Sequence, residues 1–173
     1  MITATPRTAP PLPRTATAPP TIRPATPRDA AALAALSAPF ARSGALRERP
    51  VALYAAHASD FLVAEGPDGT LEGCLGLRAH PAAPDGGRGP AGVLYNFCVA
   101  RHRQGSGLGA RLLRAALARA RERSLDGLFT ATTGGGDLFL RYGFGPASES
   151  AAPPAWAGSL DPRRNARILA RAL

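Results

Sequence analysis

The apolar positions of the chain follow two different periods, and the period changes several times along the sequence. Segments in which apolar residues alternate with polar ones or run continuously, bounded by Gly and Pro, are typical of strands. The pattern predicts strands at 21–27, 61–65, 71–79, 92–100, 128–133, 144–149 and 165–172. Asp68-Gly69 lies between the second and third of these and is a strong hairpin signal, so we expect these two strands to pair antiparallel.

Between the strands, apolar residues recur every three to four positions, which is the period of an amphipathic helix. We predict helices at 28–40, at 51–59, from Leu108 onward and around 138–142. The long third helix carries one apolar stripe, which consists of Leu108, Leu112, Leu113, Ala116, Leu117 and Ala120. Strands followed by alternating strands and helices indicate an α/β fold with a mixed central sheet, and the apolar run at 92–100 is its predicted central strand.

The first twenty residues differ in composition from the rest of the chain. They are mostly Pro, Thr, Ala and Arg, with very little to bury, so we predict a disordered tail at 1–20 and one domain at 21–173. No stretch approaches about eighteen consecutive apolar residues, and the N-terminus lacks the apolar block of a secretory signal. We therefore expect a soluble, cytoplasmic protein with no membrane contact.

Charge narrows the choice of partners. The chain carries 21 basic residues, all of them arginine, against 12 acidic ones, for a formal net charge of +9. Four of these arginines precede the first acidic residue, Asp29, so the predicted domain is only mildly basic. Because no nucleic-acid-binding motif accompanies the positive charge, the charge favours anionic small molecules over nucleic acid as partners.

Cys74 and Cys98 lie in apolar runs, as buried thiols do. The three histidines have no ligand-like spacing, so we expect no metal.

The segment from Gln104 to Ala110 joins the predicted central strand to the long helix and contains three glycines. Bare backbone N–H groups and the partial positive charge of a helix start together form a cradle for phosphate groups. A P-loop is excluded because the chain has no lysine. A Rossmann turn requires an early parallel unit and an acidic residue about twenty positions on, and here Asp126 lies at a helix end. We expect a pyrophosphate ligand; a tight connection without a ligand is the alternative.

At these motifs the chain resembles the GNAT family of N-acetyltransferases. The resemblance rests on the strand NFCVARHR, the spacing Q-x-x-G-x-G at 104–109, the helix that follows, and FLRYGF at 139–144. Within the family, SGALRER at 43–49, LFTATT at 128–133 and RRNARIL at 163–169 are similar to the acetyltransferase domain of the N-acetylglutamate synthase group. The resemblance implies the GNAT fold, an α/β (α+β) mixed sheet of six to seven strands flanked by about four helices.

The resemblance also implies acetyl-CoA as co-substrate, held where two parallel strands splay apart. The thioester contacts, which also stabilise the oxyanion, map to the backbone of Cys98 and Val99. The pyrophosphate contacts map to the turn that consists of Gln104, Gly105, Ser106, Gly107, Leu108, Gly109 and Ala110. Phe139 maps to a cofactor-contacting position where many relatives carry a tyrosine that protonates the leaving thiolate, and phenylalanine has no proton to give.

The sequence does not identify the general base that accepts the proton of the amine. The carboxylate that the family often carries on the central strand falls near Val93 and Leu94, which are apolar. By residue type, Tyr95, His80 and His102 are candidate bases. A core or surface position without a catalytic role is the alternative for each of them.

Substrate carboxylates are bound best by arginine, through two parallel charge-assisted hydrogen bonds. The resemblance places such arginines at Arg49, after the first helix, and at Arg164, in the terminal strand. A serine of the synthase group maps to Ala166, so one hydroxyl contact is lost. Two solvated arginines of an arginine-rich chain are the alternative.

Together these observations predict an acetyl-CoA-dependent N-acetyltransferase that acts on a small-molecule amine, namely that of a small acidic amino acid with L-glutamate as first choice. The same chemistry fits the acetylation of an amino-acid-like antibiotic or toxin. A non-catalytic acyl-CoA-binding regulatory domain is a further alternative, because the tyrosine and the strand carboxylate are missing. Whether the chain forms a homodimer through its last strands is left open.

Overall fold

The computed structural model describes residues 18–134 and 136–173. Most of the tail predicted at 1–20 therefore lies outside the described residues. Residues 18–20 have no regular secondary structure and lead directly into the first strand. The domain boundary stays a prediction.

Seven strands form one sheet in the order β1-β2-β3-β4-β5-β7-β6. The strands are β1 (Thr21–Pro24), β2 (Phe61–Glu65), β3 (Leu71–His80), β4 (Ala91–Val99), β5 (Gly127–Thr132), β6 (Gly145–Pro146) and β7 (Arg167–Ala172). All neighbours pair antiparallel except β4 and β5, which are parallel. The mixed sheet, the antiparallel pairing of β2 with β3 and the central position of β4 are thereby confirmed.

Five α-helices accompany the sheet in the part of the chain that the structure describes. They are α1 (Ala30–Arg42), α2 (Val51–Ala56), α3 (Leu108–Glu122), α4 (Asp137–Arg141) and α5 (Pro154–Ala157). The helix predicted at 51–59 ends early because a 3₁₀ turn at Ala58–Asp60 leads the chain into β2. The strand predicted at 144–149 is only two residues long, and Pro146 has no N–H to extend the ladder. None of these helices is long and apolar enough to cross a membrane.

The two faces of the sheet carry separate cores. On one face, all six residues of the predicted α3 stripe are buried and pack against Leu75, Leu77, Leu94 and Leu128 of the central strands. On the other face, α1 and α2 cover the sheet through Leu33 and Tyr54, which belong to the same buried cluster as Phe61 of β2. The stripe prediction is confirmed, and the central strands are buried on both sides, as their continuous apolar runs require.

A cluster of ion pairs and hydrogen bonds connects β1 with the start of α1. Both Nη atoms of Arg23 donate to the Asp29 carboxylate at 2.9 Å, and Arg23 Nε also pairs with Glu65 of β2. The backbone N–H of Thr26 donates to Asp29 at 2.7 Å. The Arg23 guanidinium holds the pKa of Asp29 well below its usual range. This arginine is thus fully compensated by carboxylates and serves the fold.

Candidate active site

The parallel pair β4 and β5 separates halfway along β4. Pairing begins at Ala91 with Gly127 and ends at Leu94 with Thr130. At the end of the pairing, the Thr130 hydroxyl donates to the Leu94 carbonyl oxygen at 3.2 Å. From Tyr95 onward, β4 pairs with β3 alone, so one edge of its backbone faces a gap in the sheet.

A β-bulge lies where the gap begins. Leu75 of β3 stands opposite two residues of β4, Asn96 and Phe97, and Asn96 has a left-handed backbone with φ of 49°. Asparagine is one of the few non-glycine residues that adopt this conformation readily. The extra residue bends the strand and shifts which backbone groups face the gap.

The orientation of the last β4 residues follows from the ladder. The Ala100 N–H donates to the Glu72 carbonyl at 2.8 Å, and hydrogen-bonded pairs alternate along an antiparallel ladder. Cys98, opposite Cys74, therefore directs its amide toward β3, and Val99 directs its amide into the gap. The Val99 carbonyl accepts a hydrogen bond from Gln104 Nε2 at 3.2 Å. Of the two predicted backbone contacts, only Val99 faces the place where a thioester would lie.

The glycine-rich turn opens α3 beside this gap. Gly105 and Gly107 have φ of 77° and 83°, and a Cβ at either position would meet no atom within 4 Å. The first helical hydrogen bond after Gly107, which is the N-cap, runs from Arg111 N to the Gly107 carbonyl, and no side chain caps the helix. The N–H groups of Leu108, Gly109 and Ala110 are thus left without helical acceptors, because the first turn of a helix offers none. The turn predicted to bind a pyrophosphate is therefore open, and its role in binding stays a prediction.

A cavity of about 810 Å³ occupies the α1 and α2 side of the gap. Both predicted substrate arginines line it, as do Tyr95, Asn96, Phe139 and Trp156. Phe139 packs edge-on against Phe97 of β4, with the ring centroids 5.8 Å apart. The fold therefore brings the loop after α1, the bulge of β4 and the segment before β7 together at one site.

The two arginines hold neutral partners. Arg49 Nη1 donates to Asn96 Oδ1 at 3.0 Å and to the Arg47 carbonyl at 3.3 Å. Arg164 Nη2 donates to the carbonyls of Gly44 and Ala45 at 2.7 and 3.1 Å. Among the residues that the structure describes, no carboxylate forms an ion pair with either arginine.

The structure corrects the predicted place of Arg164 and shows how far Arg49 is buried. Arg164 lies in a 3₁₀ turn at Pro162–Arg164, just before β7, and not in the terminal strand itself, because Asn165 adopts a left-handed conformation that ends the turn. Arg49 is half-buried, and desolvation lowers the pKa of its guanidinium. A cation that is partly desolvated and not compensated attracts anions more strongly than a solvated one.

Tyr95 does not fit the predicted role of general base. Its hydroxyl donates to Asp60 Oδ2 at 2.8 Å, and Arg78 Nε donates to the same oxygen at 2.9 Å. Burial and then the hydrogen bond to Asp60 raise the pKa of Tyr95, so the phenol stays protonated well above neutral pH. A protonated phenol that already donates to a carboxylate has no capacity to take a proton from an amine.

The two predicted histidine bases lie in different places. His80 is in the cavity wall, and burial followed by the charges of Arg78 and Arg88 lowers the pKa of its imidazole, which is thus neutral at pH 7. His102 is exposed on the 3₁₀ turn after β4, with Nε2 3.7 Å from Glu72 Oε1. Of these two predicted bases, only His80 lines the cavity, where His57 lies as well.

The cysteines are confirmed as free, buried thiols. Their Sγ atoms are 3.6 Å apart, and the hydrogen bond with Cys74 together with burial raises the pKa of Cys98. The Cys98 side chain is therefore a neutral packing group and not a nucleophile. No cluster of three or more His, Cys, Asp or Glu that could hold a metal occurs among residues 18–134 and 136–173.

Asn96 is the site residue that sequence analysis missed. It is 4% exposed, and its carboxamide contacts Arg49, Tyr54 and Ser37. One signal was present in the sequence, since Asn96 is the single carboxamide in the apolar run at 92–100. A buried amide in a central strand needs partners, and those partners come from α1, α2 and the loop between them.

These features describe a split in the sheet that lies beside an uncapped helix start and beside two arginines with neutral partners. The sequence profile of the Acetyltransferase (GNAT) family matches residues 30–144, more than half of the chain. The chain therefore belongs to the GNAT family of acetyltransferases.

Several known proteins are similar to this chain. An amino-acid acetyltransferase of Neisseria meningitidis (serogroup A / serotype 4A) is 32% identical over 121 residues, which cover 70% of this chain and 26% of that protein. The structure of N-acetylglutamate synthase from Neisseria gonorrhoeae, complexed with coenzyme A and N-acetyl-glutamate, matches with 32% identity and a TM-score of 0.79. That match covers 88% of this chain and 35% of the synthase chain.

A third match shows the fold alone. A Mycobacterium tuberculosis protein in complex with CoA aligns with a TM-score of 0.72 and 22% identity, over 89% of this chain and 99% of its own. The chain thus spans about a quarter of the curated relatives, about a third of the solved synthase and nearly the whole of the mycobacterial protein.

Proposed function

We propose that this chain transfers the acetyl group of acetyl-CoA to the amine of a small acidic amino acid, with L-glutamate as the first substrate to test. The observation that carries the proposal is the pair Arg49 and Arg164, which are distant in sequence, line one cavity and have only neutral partners. Guanidinium groups bind carboxylates through charge-assisted hydrogen bonds. Two of them at one site favour a substrate with two carboxylates.

The proposed acetyl-CoA site combines the turn with the open edge of β4. The pyrophosphate would bind the N–H groups of Leu108, Gly109 and Ala110, where the positive end of α3 adds to the attraction. The solved synthase of Neisseria gonorrhoeae contains coenzyme A, which supports this assignment. Phe139 would pack beside the acyl end of the ligand, in the cavity wall.

In the proposed reaction, the unprotonated amine attacks the thioester carbonyl carbon. A C–N bond forms, the C–S bond breaks, and coenzyme A leaves as the thiolate. The Val99 N–H would stabilise the oxyanion, since backbone donors fixed at the position of developing charge lower the barrier. His80 would take the proton that the amine releases, and no side-chain acid is assigned because Phe139 replaces the tyrosine.

The proposal is tested by measuring thiol release from acetyl-CoA with L-glutamate, L-aspartate, L-glutamine and L-ornithine side by side. We expect saturable turnover with an acidic amino acid and at least tenfold lower kcat/KM with the neutral and basic ones. Preference for a neutral or basic amine would contradict the substrate class. Acetyl-CoA binding without turnover on any amine would instead support the acyl-CoA-binding alternative.

A further inference from the structure

The carboxamide of Asn96 forms a hydrogen-bonded link between the β4 bulge and Arg49. Its Oδ1 accepts from Arg49 Nη1 at 3.0 Å and from the Tyr54 hydroxyl at 3.2 Å. Its Nδ2 donates to Ser37 Oγ at 2.9 Å. The amide orientation is determined by these partners, because a guanidinium can only donate and must face the oxygen.

The residues that form this link are buried. Asn96, Tyr54 and Ser37 are 4%, 2% and 2% exposed, so water does not compete for these hydrogen bonds. The Arg49 guanidinium also lies over the Tyr95 ring, 5.3 Å from its centroid, which adds a cation–π contact. Arg49 is therefore held by neutral groups, namely the Asn96 carboxamide of the bulge, the Tyr95 ring and the Arg47 carbonyl.

Two other half-buried arginines are compensated by carboxylates, whereas Arg119 donates to the backbone carbonyls of Ser59 and Phe61. Arg23 is paired with the carboxylates of Asp29 and Glu65, and Arg78 is paired with Asp60. A desolvated cation ordinarily requires such a carboxylate partner. At Arg49 the corresponding partner is an amide of nearly the same shape, which fixes the side chain and leaves its charge in place.

We propose that Asn96 is a positioning residue that holds Arg49 for a substrate carboxylate and, by being neutral, keeps the site selective for acidic amines. This inference rests on the proposed function, because it requires that the side-chain carboxylate of the substrate binds Arg49. An aspartate at this position would form an internal ion pair with Arg49 and cancel the attraction for the substrate. The neutrality of Asn96 is thus a specificity determinant.

The central test is Asn96→Asp, which preserves the shape of the side chain and tolerates the left-handed backbone. The measurement is kcat/KM for L-glutamate and for L-glutamine, which differ only in the side-chain charge. We expect KM for glutamate to rise at least tenfold, with kcat and KM for acetyl-CoA changed less than threefold. Because glutamine lacks the second carboxylate, its kcat/KM should change much less, so the glutamate-to-glutamine ratio falls.

Ser37→Ala is the matched control. It removes a hydrogen bond from the same buried network but leaves the charge at Arg49 unchanged. We expect a lower melting temperature and an unchanged glutamate-to-glutamine ratio. If Asn96→Asp does not fold, Asn96→Gly retains the left-handed backbone without the carboxamide, and KM for glutamate should again rise while kcat stays near that of the wild type.

The outcomes separate the two proposals. If the wild type acetylates glutamate or aspartate and Asn96→Asp keeps the same glutamate-to-glutamine ratio, the role of Asn96 is wrong and the proposed function stands. Equal losses of kcat/KM for both amines would also overturn the role of Asn96, since they indicate a general structural defect or that Arg49 binds the α-carboxylate that both amines share. If the wild type shows no turnover with any acidic amine, the proposed function fails and the role of Asn96 fails with it.

Discussion

The two halves of β4 differ in pairing and in polar content, although they belong to one strand. From Ala91 to Leu94 the strand is paired on both edges, is almost completely buried and contains no polar side chain. From Tyr95 to Val99 it is paired with β3 alone and contains the bulge, a left-handed residue and a buried polar network. The closed half satisfies its own backbone, whereas the open half leaves backbone groups available to a ligand.

The difference shows how a stable sheet can hold a reactive site. A backbone N–H that is buried and has no partner costs free energy, so unpaired groups are tolerated only where water or a ligand can satisfy them. The closed half and the α3 stripe fix the position of the open half. Substitutions in the closed half should therefore change stability, and substitutions around the open half should change binding.

The largest effect is expected from Gly107→Glu at the helix start beside the open half. A carboxylate next to the pyrophosphate adds like-charge repulsion worth several kcal/mol, so acetyl-CoA binding should weaken by roughly 100-fold or more. Isothermal titration calorimetry with acetyl-CoA measures this loss of affinity. Gly107→Asn, which is neutral and tolerates φ of 83°, is the control and should bind much more tightly than the glutamate variant. Equal losses in both would assign the effect to packing and not to charge.

Arg164→Ala should act on the amine alone. Losing one charged hydrogen-bonding partner costs about 1.5 to 3 kcal/mol, which corresponds to an increase of about 10- to 150-fold in KM for the amine. KM for acetyl-CoA should change little. Arg163→Ala removes the exposed neighbouring arginine of the same turn and is the matched control. A similar rise for both co-substrates would point to a folding defect.

Gly92→Ala should destabilise the closed half without changing substrate binding at the site. A Cβ there would lie 2.5 Å from Leu128 Cδ2, 2.7 Å from Leu77 Cδ1 and 2.9 Å from Leu125 Cδ1. Overpacking of this kind lowers the free energy of unfolding by about 1 to 3 kcal/mol, which chemical denaturation would measure. Gly145→Ala, whose Cβ meets no atom within 4 Å, should be neutral. A changed KM at unchanged stability would contradict the division between the halves.

The smallest effect is expected at the junction of the two halves. Thr130→Val removes the hydroxyl that donates to the Leu94 carbonyl, which should cost about 1 kcal/mol of unfolding free energy. Thr130→Ser retains the hydroxyl and should recover most of the loss. If the valine variant is as stable as the wild type, the hydrogen bond does not stabilise the junction.

The fold was largely predictable because its signals are local or periodic. The α3 stripe, the hairpin at Asp68-Gly69 and the glycine-rich turn each depend on short stretches of sequence, and the structure has all three. The one-turn helix α5 was missed because four residues do not establish a helical period. The short β6 was overestimated because pairing in the last strands depends on partners far along the chain.

The site was predictable only in part. Arg49 and Arg164 are predicted from the resemblance to the N-acetylglutamate synthase group. The structure places both in the wall of one cavity, while their roles stay a proposal. Tyr95 is a candidate base by residue type, but burial and its hydrogen bond to Asp60 raise the pKa of its phenol and keep it protonated. Asn96 was missed because its importance comes from partners at positions 37, 49 and 54, which no sequence window contains together.

The sequence by itself determined the mixed sheet, the apolar stripe of α3 and the glycines that leave the helix start bare. These depend on side-chain periodicity and on backbone freedom, both of which are properties of neighbouring residues. Only the tertiary structure decided where β4 leaves β5, which amide faces the gap and which arginines come together in the cavity. Pairing, burial and charge compensation arise between residues distant along the chain, so they exist only once the chain has folded.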